Sequence, residues 1–251
     1  MRVLVVTAVP PERDAVTGAA GRPPRPVGLP GAAEAHRVAL DGPKGADAEL
    51  DVLAAGVGPA AAAAGTATAL TAAVLAGTPY ELVVSAGIGG GIGVAPGRIV
   101  VATALVAADL GAETAEGFLP VAELGFGTSV HRPPPEPVRE LAETVGGVTG
   151  PVLTVSTVTG TAQGAAELVR RHPGAVAEAM EGFGVAEAAA AFGVPALEMR
   201  AVSNAVGPRD RAAWRVPEAL AALGDAFRAA APLLETWTRS GDGTRWRTTH
   251  G

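Results

Sequence analysis

The sequence predicts an α/β fold, arranged as a three-layer α/β/α sandwich, and two observations carry this prediction. Apolar segments rich in β-branched residues alternate along the chain with Ala-rich segments of helical character. The apolar segments are also nearly continuous, which is typical of strands that helices cover on both faces. A length of 251 residues, 48% of them hydrophobic, fits one domain with a large core.

The elements of the first half follow from this alternation. A strand is predicted at 2–8, and the two prolines after it fit the first turn of a helix, which is predicted over 11–18. A Gly-Pro pair opens the Ala-rich helix predicted over 59–76. The other strands predicted in this half are 49–55, 81–86 and 98–106.

In the second half, a Gly-Val-Pro segment separates the predicted helix 181–192 from the predicted strand 196–203. Two segments rich in Gly or Pro, 18–33 and 107–134, are predicted to be surface loops, the second an active-site flap. The remaining predictions are a strand at 151–157 and helices at 135–145, 162–171 and 216–238. We expect one domain over 1–239 and a loose polar tail over 240–251.

Composition excludes several classes of protein. The net charge is −6, the sequence pI is about 5.3 and no Lys/Arg cluster is present, which argues against nucleic-acid binding. The absence of cysteine excludes disulfides, Cys-ligated zinc and a Cys nucleophile. No stretch has the length and apolarity of a membrane span, and the N-terminus lacks signal-peptide features, so a cytoplasmic protein is expected. No metal is expected either, because the histidines lack ligand spacing: His36, His131, His172 and His250.

A glycine cluster, 87–93, follows the predicted strand 81–86. A dinucleotide-binding loop needs G-x-G-x-x-G and then a helix, but the last glycine position holds Ile92 or Val94, and another strand follows. A P-loop motif occurs nowhere in the chain. The cluster is therefore either a plain tight turn or a place where a ligand approaches the backbone closely.

Three charged residues stand out near predicted element ends. Glu12 and Glu181 lie at predicted helix starts, where an acid is often only a partner of the helix dipole. Arg200 lies in an apolar strand, on the same predicted face as Glu198 and Asn204, and a structural ion pair would explain it. However, ligands gather at strand ends in open α/β sheets, and these residues would converge there with the glycine cluster.

Several motifs recur together in one order and resemble the nucleoside phosphorylase/nucleosidase superfamily, particularly its methylthioadenosine/adenosylhomocysteine nucleosidase branch. The most specific are Met180-Glu181-Gly182 and, some twenty residues later, Arg200-Ala201-Val202-Ser203-Asn204. The others are Glu12 after the first strand and the segments 85–91 and 96–100. The resemblance covers roughly residues 1–238 and implies a nucleoside phosphorylase-like fold with a central mixed sheet. Within this branch, the segment 203–210 looks most like the futalosine hydrolase family.

The resemblance implies a role for each matching residue. Glu12 would activate the attacking water, and Arg200 would help to hold that water and Glu12. Glu181 would bind the ribose hydroxyls. The remaining residues would bind substrate: Met180 against the sugar, Val158 and Thr159 against the purine, and Gly89 and Gly90 on the ribose side. No metal or cofactor is implied, and assembly into a homo-oligomer is expected.

Asn204 departs from the adenine-releasing branch, which carries Asp at this position to protonate N7 of the leaving base. An amide offers both a donor and an acceptor, so Asn204 could donate to O6 of a 6-oxopurine and accept from N7–H. An ionised Asp would present a repelling oxygen to O6. The swap favours hypoxanthine over adenine as the leaving base, and Asp210 stays an alternative acid on the following loop.

The sequence-level hypothesis is therefore hydrolysis of the N-glycosidic bond of futalosine in the alternative menaquinone pathway. Futalosine carries an aromatic carboxylate on its 5′ side, for which Arg209, Arg211 and Arg215 are equivalent candidates. Trp214 would either pack against the aromatic ring or simply anchor its loop. The alternatives are an adenine-releasing nucleosidase, a purine nucleoside phosphorylase and an inactive nucleoside-binding module.

Overall fold

The structure is a computed structural model that describes residues 2–32, 34–40 and 48–239. Its centre is a ten-stranded mixed sheet, beside which lies a separate two-stranded hairpin. The strands are β1 (Arg2–Thr7), β2 (Arg25–Gly28), β3 (Glu34–Leu40), β4 (Ala48–Ala54), β5 (Leu82–Gly91), β6 (Ile99–Ala107), β7 (Gly111–Thr114), β8 (Gly117–Pro120), β9 (Val130–His131), β10 (Val148–Thr154), β11 (Ala177–Ala179) and β12 (Ala196–Ala205). The helices are α1 (Pro10–Gly18), α2 (Pro59–Leu75), α3 (Pro135–Val145), α4 (Ala162–Arg171), α5 (Gly182–Ala191) and α6 (Val216–Arg239).

The sheet combines parallel and antiparallel pairs, which confirms the predicted mixed α/β class. Its order is β11-β10-β6-β12-β5-β1-β4-β3-β2, with β9 added at β6. Strand β5 pairs in parallel with β1 on one side and with β12 on the other. Strand β11 pairs with β10 and also with β5, so five strands, β5, β12, β6, β10 and β11, close into a ring.

Helices cover both faces of the sheet, as the continuous apolar strands predict. Alternate residues of β1 show this: Val3 and Val5 pack in a core shared with α1, α3 and α6. Leu4 and Val6 pack in the opposite core, shared with α2 and α5. Both cores need apolar side chains at successive positions of the same strand, because successive side chains point to opposite faces.

The six helices lie where the alternation predicts them, within two residues at each end. The two predicted loops are only partly irregular. Segment 18–33 contains the edge strand β2, and segment 107–134 contains the hairpin β7–β8 and the short β9. Strand β11 was also missed. These strands are short or lie at an edge, so they need no long apolar run, and periodicity does not reveal them.

Residues 87–91 of the glycine cluster form a strand and not a tight turn, which rules out one of the two sequence-based interpretations. Strand β5 continues through Gly91 because β12 and β11 flank its glycine end and pair with it. A β-bulge at Ser203 also adds one residue to β12, so the simple alternation that placed Asn204 on the face of Glu198 is interrupted.

No helix among the described residues is both long and apolar enough to cross a membrane. The predicted tail 240–251 lies outside the described residues, and the domain limits of 1–239 stay a prediction.

Candidate active site

The predicted site residues meet in one cavity of about 410 Å³. It is lined by residues that follow the carboxyl ends of β1, β10 and β11 and by the last residues of β5 and β12. Such strand ends are where ligands bind in open α/β sheets. Eight of the nine predicted residues line it: Glu12, Gly89, Gly90, Val158, Thr159, Met180, Glu181 and Asn204. A larger cavity of about 530 Å³ lies against α3 and contains none of them.

Glu12 is a buried acid that the backbone holds in place. Its Oε2 accepts hydrogen bonds from the N–H groups of Ala8 and Val9, at 2.9 and 3.3 Å. Its Oε1 accepts from the N–H of Ile88 in β5, at 2.8 Å. The carboxylate therefore joins the start of α1 to the glycine end of β5 and has a fixed orientation in the cavity.

Arg200, the ninth predicted residue, is completely buried and does not line the cavity. Its Nε donates to Glu198 Oε1 at 2.9 Å, and one terminal nitrogen donates to Ser85 Oγ at 2.8 Å. The other terminal nitrogen lies 3.2 Å from Oε2 of Glu181. The resemblance implied a contact with the attacking water, but the described contacts are all with other side chains. Arg200 is thus placed to position Glu181.

The pKa values of Arg200 and Glu198 are both raised, for different reasons. Burial by itself lowers the pKa of Arg200, but the nearby carboxylates of Glu198, Glu181 and Glu12 raise it above its ordinary value. Burial raises the pKa of Glu198, and the attraction of Arg200 offsets this only in part. The guanidinium therefore stays charged beneath the cavity and balances several acids.

Glu181 is the acid that presents a carboxylate both to Arg200 and to the cavity. Its Oε1 accepts from the N–H of Gly58 at 3.2 Å, just before α2. Its Oε2 accepts from the N–H of Met180 at 3.3 Å. These bonds fix the carboxylate between α2, α5 and β12, with lone pairs left for hydroxyl groups of a ligand.

Asn204 lines the same cavity and is half-buried at the end of β12. Its Oδ1 accepts from Ser203 Oγ at 2.8 Å, and its Nδ2 donates to the carbonyl of Ala205 at 2.9 Å. These two bonds set the direction of the amide. One N–H and one lone pair remain for a ligand, which is the donor–acceptor pair that a 6-oxopurine requires.

The structure separates the candidates on the loop after β12. Arg209 and Trp214 line the cavity, and the Arg209 guanidinium lies 5.5 Å from the indole ring centre. Arg211 and Arg215 do not line it, and Arg215 forms an ion pair with Glu218 at 3.5 Å. The alternative acid Asp210 accepts from the N–H of Ala212 and does not line the cavity either, which argues against a role in protonating the base.

Sequence analysis missed one buried acid of the cavity, Glu178. Its carboxylate accepts from both the N–H and the hydroxyl of Thr159. An acid between two alanines in an otherwise buried strand was the signal that could have identified it, since burial of a charge needs a reason.

Comparison with known proteins agrees with this geometry. The family model described as the phosphorylase superfamily matches residues 4–236. A futalosine hydrolase from Streptomyces coelicolor is 64% identical over 239 residues, which cover 94% of this chain and 98% of that one. This chain belongs to the futalosine hydrolase family of the phosphorylase superfamily. The futalosine hydrolase family was also the one that the segment 203–210 most resembled.

Solved structures show the same fold. S-adenosylhomocysteine nucleosidase from Streptococcus pyogenes has a TM-score of 0.76 at 18% identity, over 93% of this chain and 97% of its own. The futalosine hydrolase of Helicobacter pylori has a TM-score of 0.72 at 17% identity, over 91% and 96%. These futalosine hydrolase and nucleosidase structures therefore share one architecture with this chain, and the fold does not separate their substrates.

Proposed function

We propose that this protein hydrolyses the N-glycosidic bond of futalosine and releases hypoxanthine, as a step of the alternative menaquinone pathway. One observation carries the proposal: the carboxylates of Glu12 and Glu181 and the amide of Asn204 all line a single cavity. The strong similarity to a futalosine hydrolase over nearly the whole chain supports the same substrate.

The reaction proceeds through an oxocarbenium-like transition state. The C1′–N9 bond stretches, and positive charge develops on the ribose. Glu181 binds the ribose hydroxyls, and Met180 packs against the sugar. Glu12 accepts a proton from the water that attacks C1′, and its three backbone donors hold it in position before the substrate arrives. The electron pair of the broken bond leaves with the base, and no metal or organic cofactor is required.

Asn204 stabilises the leaving base. Its free N–H donates to O6 of hypoxanthine, and its carbonyl oxygen accepts from N7–H once N7 has taken up a proton from solvent water. Val158 and Thr159, on the loop after β10, lie against the purine plane. The bonds from Ser203 and to Ala205 hold the amide in this orientation.

The 5′ side of the substrate meets Arg209 and Trp214. A carboxylate needs a cation, and an aromatic ring packs well on an indole. Among the three arginines of this loop, Arg209 combines a place in the cavity lining with a position over Trp214. We therefore assign the substrate carboxylate to Arg209.

Water, and not phosphate, is the nucleophile in this proposal. A phosphate would meet the carboxylate of Glu12 at short range and be repelled. The nearest cation, Arg200, is buried and already occupied by Glu198 and Glu181. Arg209, the arginine of the cavity lining, is assigned to the substrate carboxylate, so the described residues leave no cation for phosphate beside Glu12.

An endpoint assay tests the proposal. The purified protein is incubated in phosphate-free buffer with futalosine, inosine or methylthioadenosine, and free bases are measured by chromatography. Hypoxanthine from futalosine, with little from inosine, is expected. Glu12→Gln serves as the inactive control. Adenine from methylthioadenosine without turnover of futalosine, or a rate that requires phosphate, would overturn the proposal.

We also propose that the protein acts as a homo-oligomer in the cytoplasm. Exposed apolar side chains on and beside the β7–β8 hairpin, Leu110, Leu119 and Phe126, support self-association because such groupings often mark interfaces. Sedimentation analysis of the wild type and of Phe126→Ser tests the first point, and cell fractionation tests the second. A monomeric wild type would contradict self-association.

A further inference from the structure

Glu178 is a buried acid of the cavity that the reaction scheme above does not use. It is 5% exposed and lines the cavity from β11. Both of its oxygens accept from Thr159, one from the N–H at 2.9 Å and the other from the hydroxyl. Among the residues that the structure describes, no Lys, Arg or His lies within ion-pair distance of it. Its charge is balanced by hydrogen bonds alone, which makes a further donor from a ligand favourable.

Strand register places Glu178 and Asn204 on either side of Gly90. Glu178 is the partner of Gly90 in the β11–β5 pair, and Asn204 is its partner in the β12–β5 pair. Two strand spacings separate their backbones by about 10 Å. Gly90 has no side chain; a Cβ there would meet Val206 Cγ2 at 2.8 Å and lie 3.5 Å from the Asn204 amide nitrogen. Glu178, Gly90, Asn204 and Val206 all line the same cavity, so the acid and the amide face one space that a ligand can enter.

We infer that Glu178 accepts the N1–H hydrogen bond of a 6-oxopurine and thereby selects this class of base. A 6-oxopurine presents a donor at N1 beside an acceptor at O6, whereas adenine presents an acceptor at N1 beside a donor at N6. An ionised carboxylate has only acceptors, so it binds the first pattern and repels the second. Glu178 and Asn204 together thus present the complement of the hypoxanthine edge. This inference rests on the proposed function.

A purely structural role is the competing explanation. Glu178 anchors Thr159 through two hydrogen bonds, and removal of its carboxylate would distort the loop that lies against the purine. Glu178→Gln separates the two roles. The amide oxygen can still accept from the Thr159 N–H, and the amide nitrogen can donate to the Thr159 hydroxyl, so the loop stays anchored. The remaining amide N–H then opposes N1–H of hypoxanthine and matches N1 of adenine.

The experiment measures equilibrium binding of free hypoxanthine and free adenine by calorimetry. Wild type, Glu178→Gln and Glu143→Gln are compared, the last being a matched substitution on exposed α3 far from the cavity lining. The wild type is expected to prefer hypoxanthine. Glu178→Gln is expected to lower the preference about 10- to 100-fold, and Glu143→Gln to leave it unchanged. If Glu178→Gln weakens the binding of hypoxanthine and adenine equally, or weakens neither, the inference is overturned.

Two further measurements keep the test decisive. If Glu178→Gln does not fold, the wild type is titrated with 1-methylhypoxanthine, which lacks the N1 donor. Binding at least tenfold weaker than that of hypoxanthine supports the inference. Equal binding of the two bases overturns it. Turnover of futalosine is measured in parallel. A Glu178-dependent preference without turnover overturns only the proposed reaction, and turnover with an unchanged preference overturns only the role of Glu178.

Discussion

Gly87 and Glu12 are in direct contact: a Cβ on Gly87 would lie 2.6 Å from Oε1 of Glu12. The same Cβ would lie 2.8 Å from a terminal nitrogen of Arg200. The acid that we assign as the base thus packs on the bare backbone of β5, where only glycine leaves room for it. The neighbouring N–H of Ile88 donates to the same oxygen.

We predict that Gly87→Ala lowers kcat for futalosine about 100-fold while the protein stays folded. The methyl group meets the Glu12 carboxylate and a terminal nitrogen of the buried Arg200, so it displaces Glu12 from its backbone donors and from its place beside the water. The checks are steady-state kinetics and a thermal melt. Gly18→Ala is the matched control, because a Cβ there meets nothing within 4 Å. Full activity of Gly87→Ala would contradict the assignment of Glu12.

We predict that Asn204→Asp lowers kcat/KM for futalosine about 10- to 100-fold and improves release of adenine relative to hypoxanthine. The carboxylate loses the donor to O6 and repels this oxygen, whereas adenine offers its amine to the carboxylate. The measurement is kcat/KM for futalosine and for its adenine counterpart with the same 5′ group. An unchanged ratio of the two kcat/KM values would show that Asn204 does not discriminate between the two bases.

We predict that Arg209→Gln raises KM for futalosine about tenfold and leaves kcat/KM for inosine unchanged, because inosine has no 5′ carboxylate. The control is Arg211→Gln, which removes the same charge from an exposed position outside the cavity. Equal effects of the two substitutions would indicate general electrostatic attraction rather than a specific contact with the carboxylate.

We predict that Asp51 makes the stability of the fold sensitive to acid. Asp51 is buried, and burial alone would raise its pKa, but hydrogen bonds from Arg37, Tyr80 and Arg2 hold the pKa below its ordinary value of 3.8. The folded protein therefore keeps this carboxylate charged where the unfolded chain binds a proton. Its contribution to the free energy of unfolding is complete above pH 3.8 and is lost as the pH falls through the folded value.

Urea unfolding of the wild type and Asp51→Asn at pH 7 and pH 3.5 tests this prediction. At pH 7 the variant is expected to be less stable by about 2–4 kcal/mol, because Arg2 and Arg37 lose their carboxylate partner. The difference in the free energy of unfolding between the wild type and the variant is expected to be smaller at pH 3.5. A difference that is independent of pH would contradict the linkage to Asp51.

The core of the fold could be predicted from sequence because its signals are local. Continuous apolar strands and Ala-rich helices follow from burial on both faces, and proline and glycine mark several of the helix starts. The edge strand β2, its neighbour β3 and the hairpin β7–β8 lack such signals, because strands at or beside an edge tolerate polar residues. The glycine end of β5 was misjudged for a related reason: glycine is unfavourable in an isolated strand, and pairing with β11 and β12 overrides that preference.

By itself, the sequence determined the α/β class and pointed to the site candidates Glu12, Glu181 and Asn204, because residue type and order along the chain carry that information. Tertiary structure alone decided which arginine lines the cavity and that Asp210 bonds the N–H of Ala212 outside it. It also decided that Arg200 lies beneath the site and that Glu178 and Asn204 flank Gly90. The reason is distance. These relationships join residues that are far apart in the chain or point in different directions from one loop, and only the packing of strands and loops determines which side chains meet.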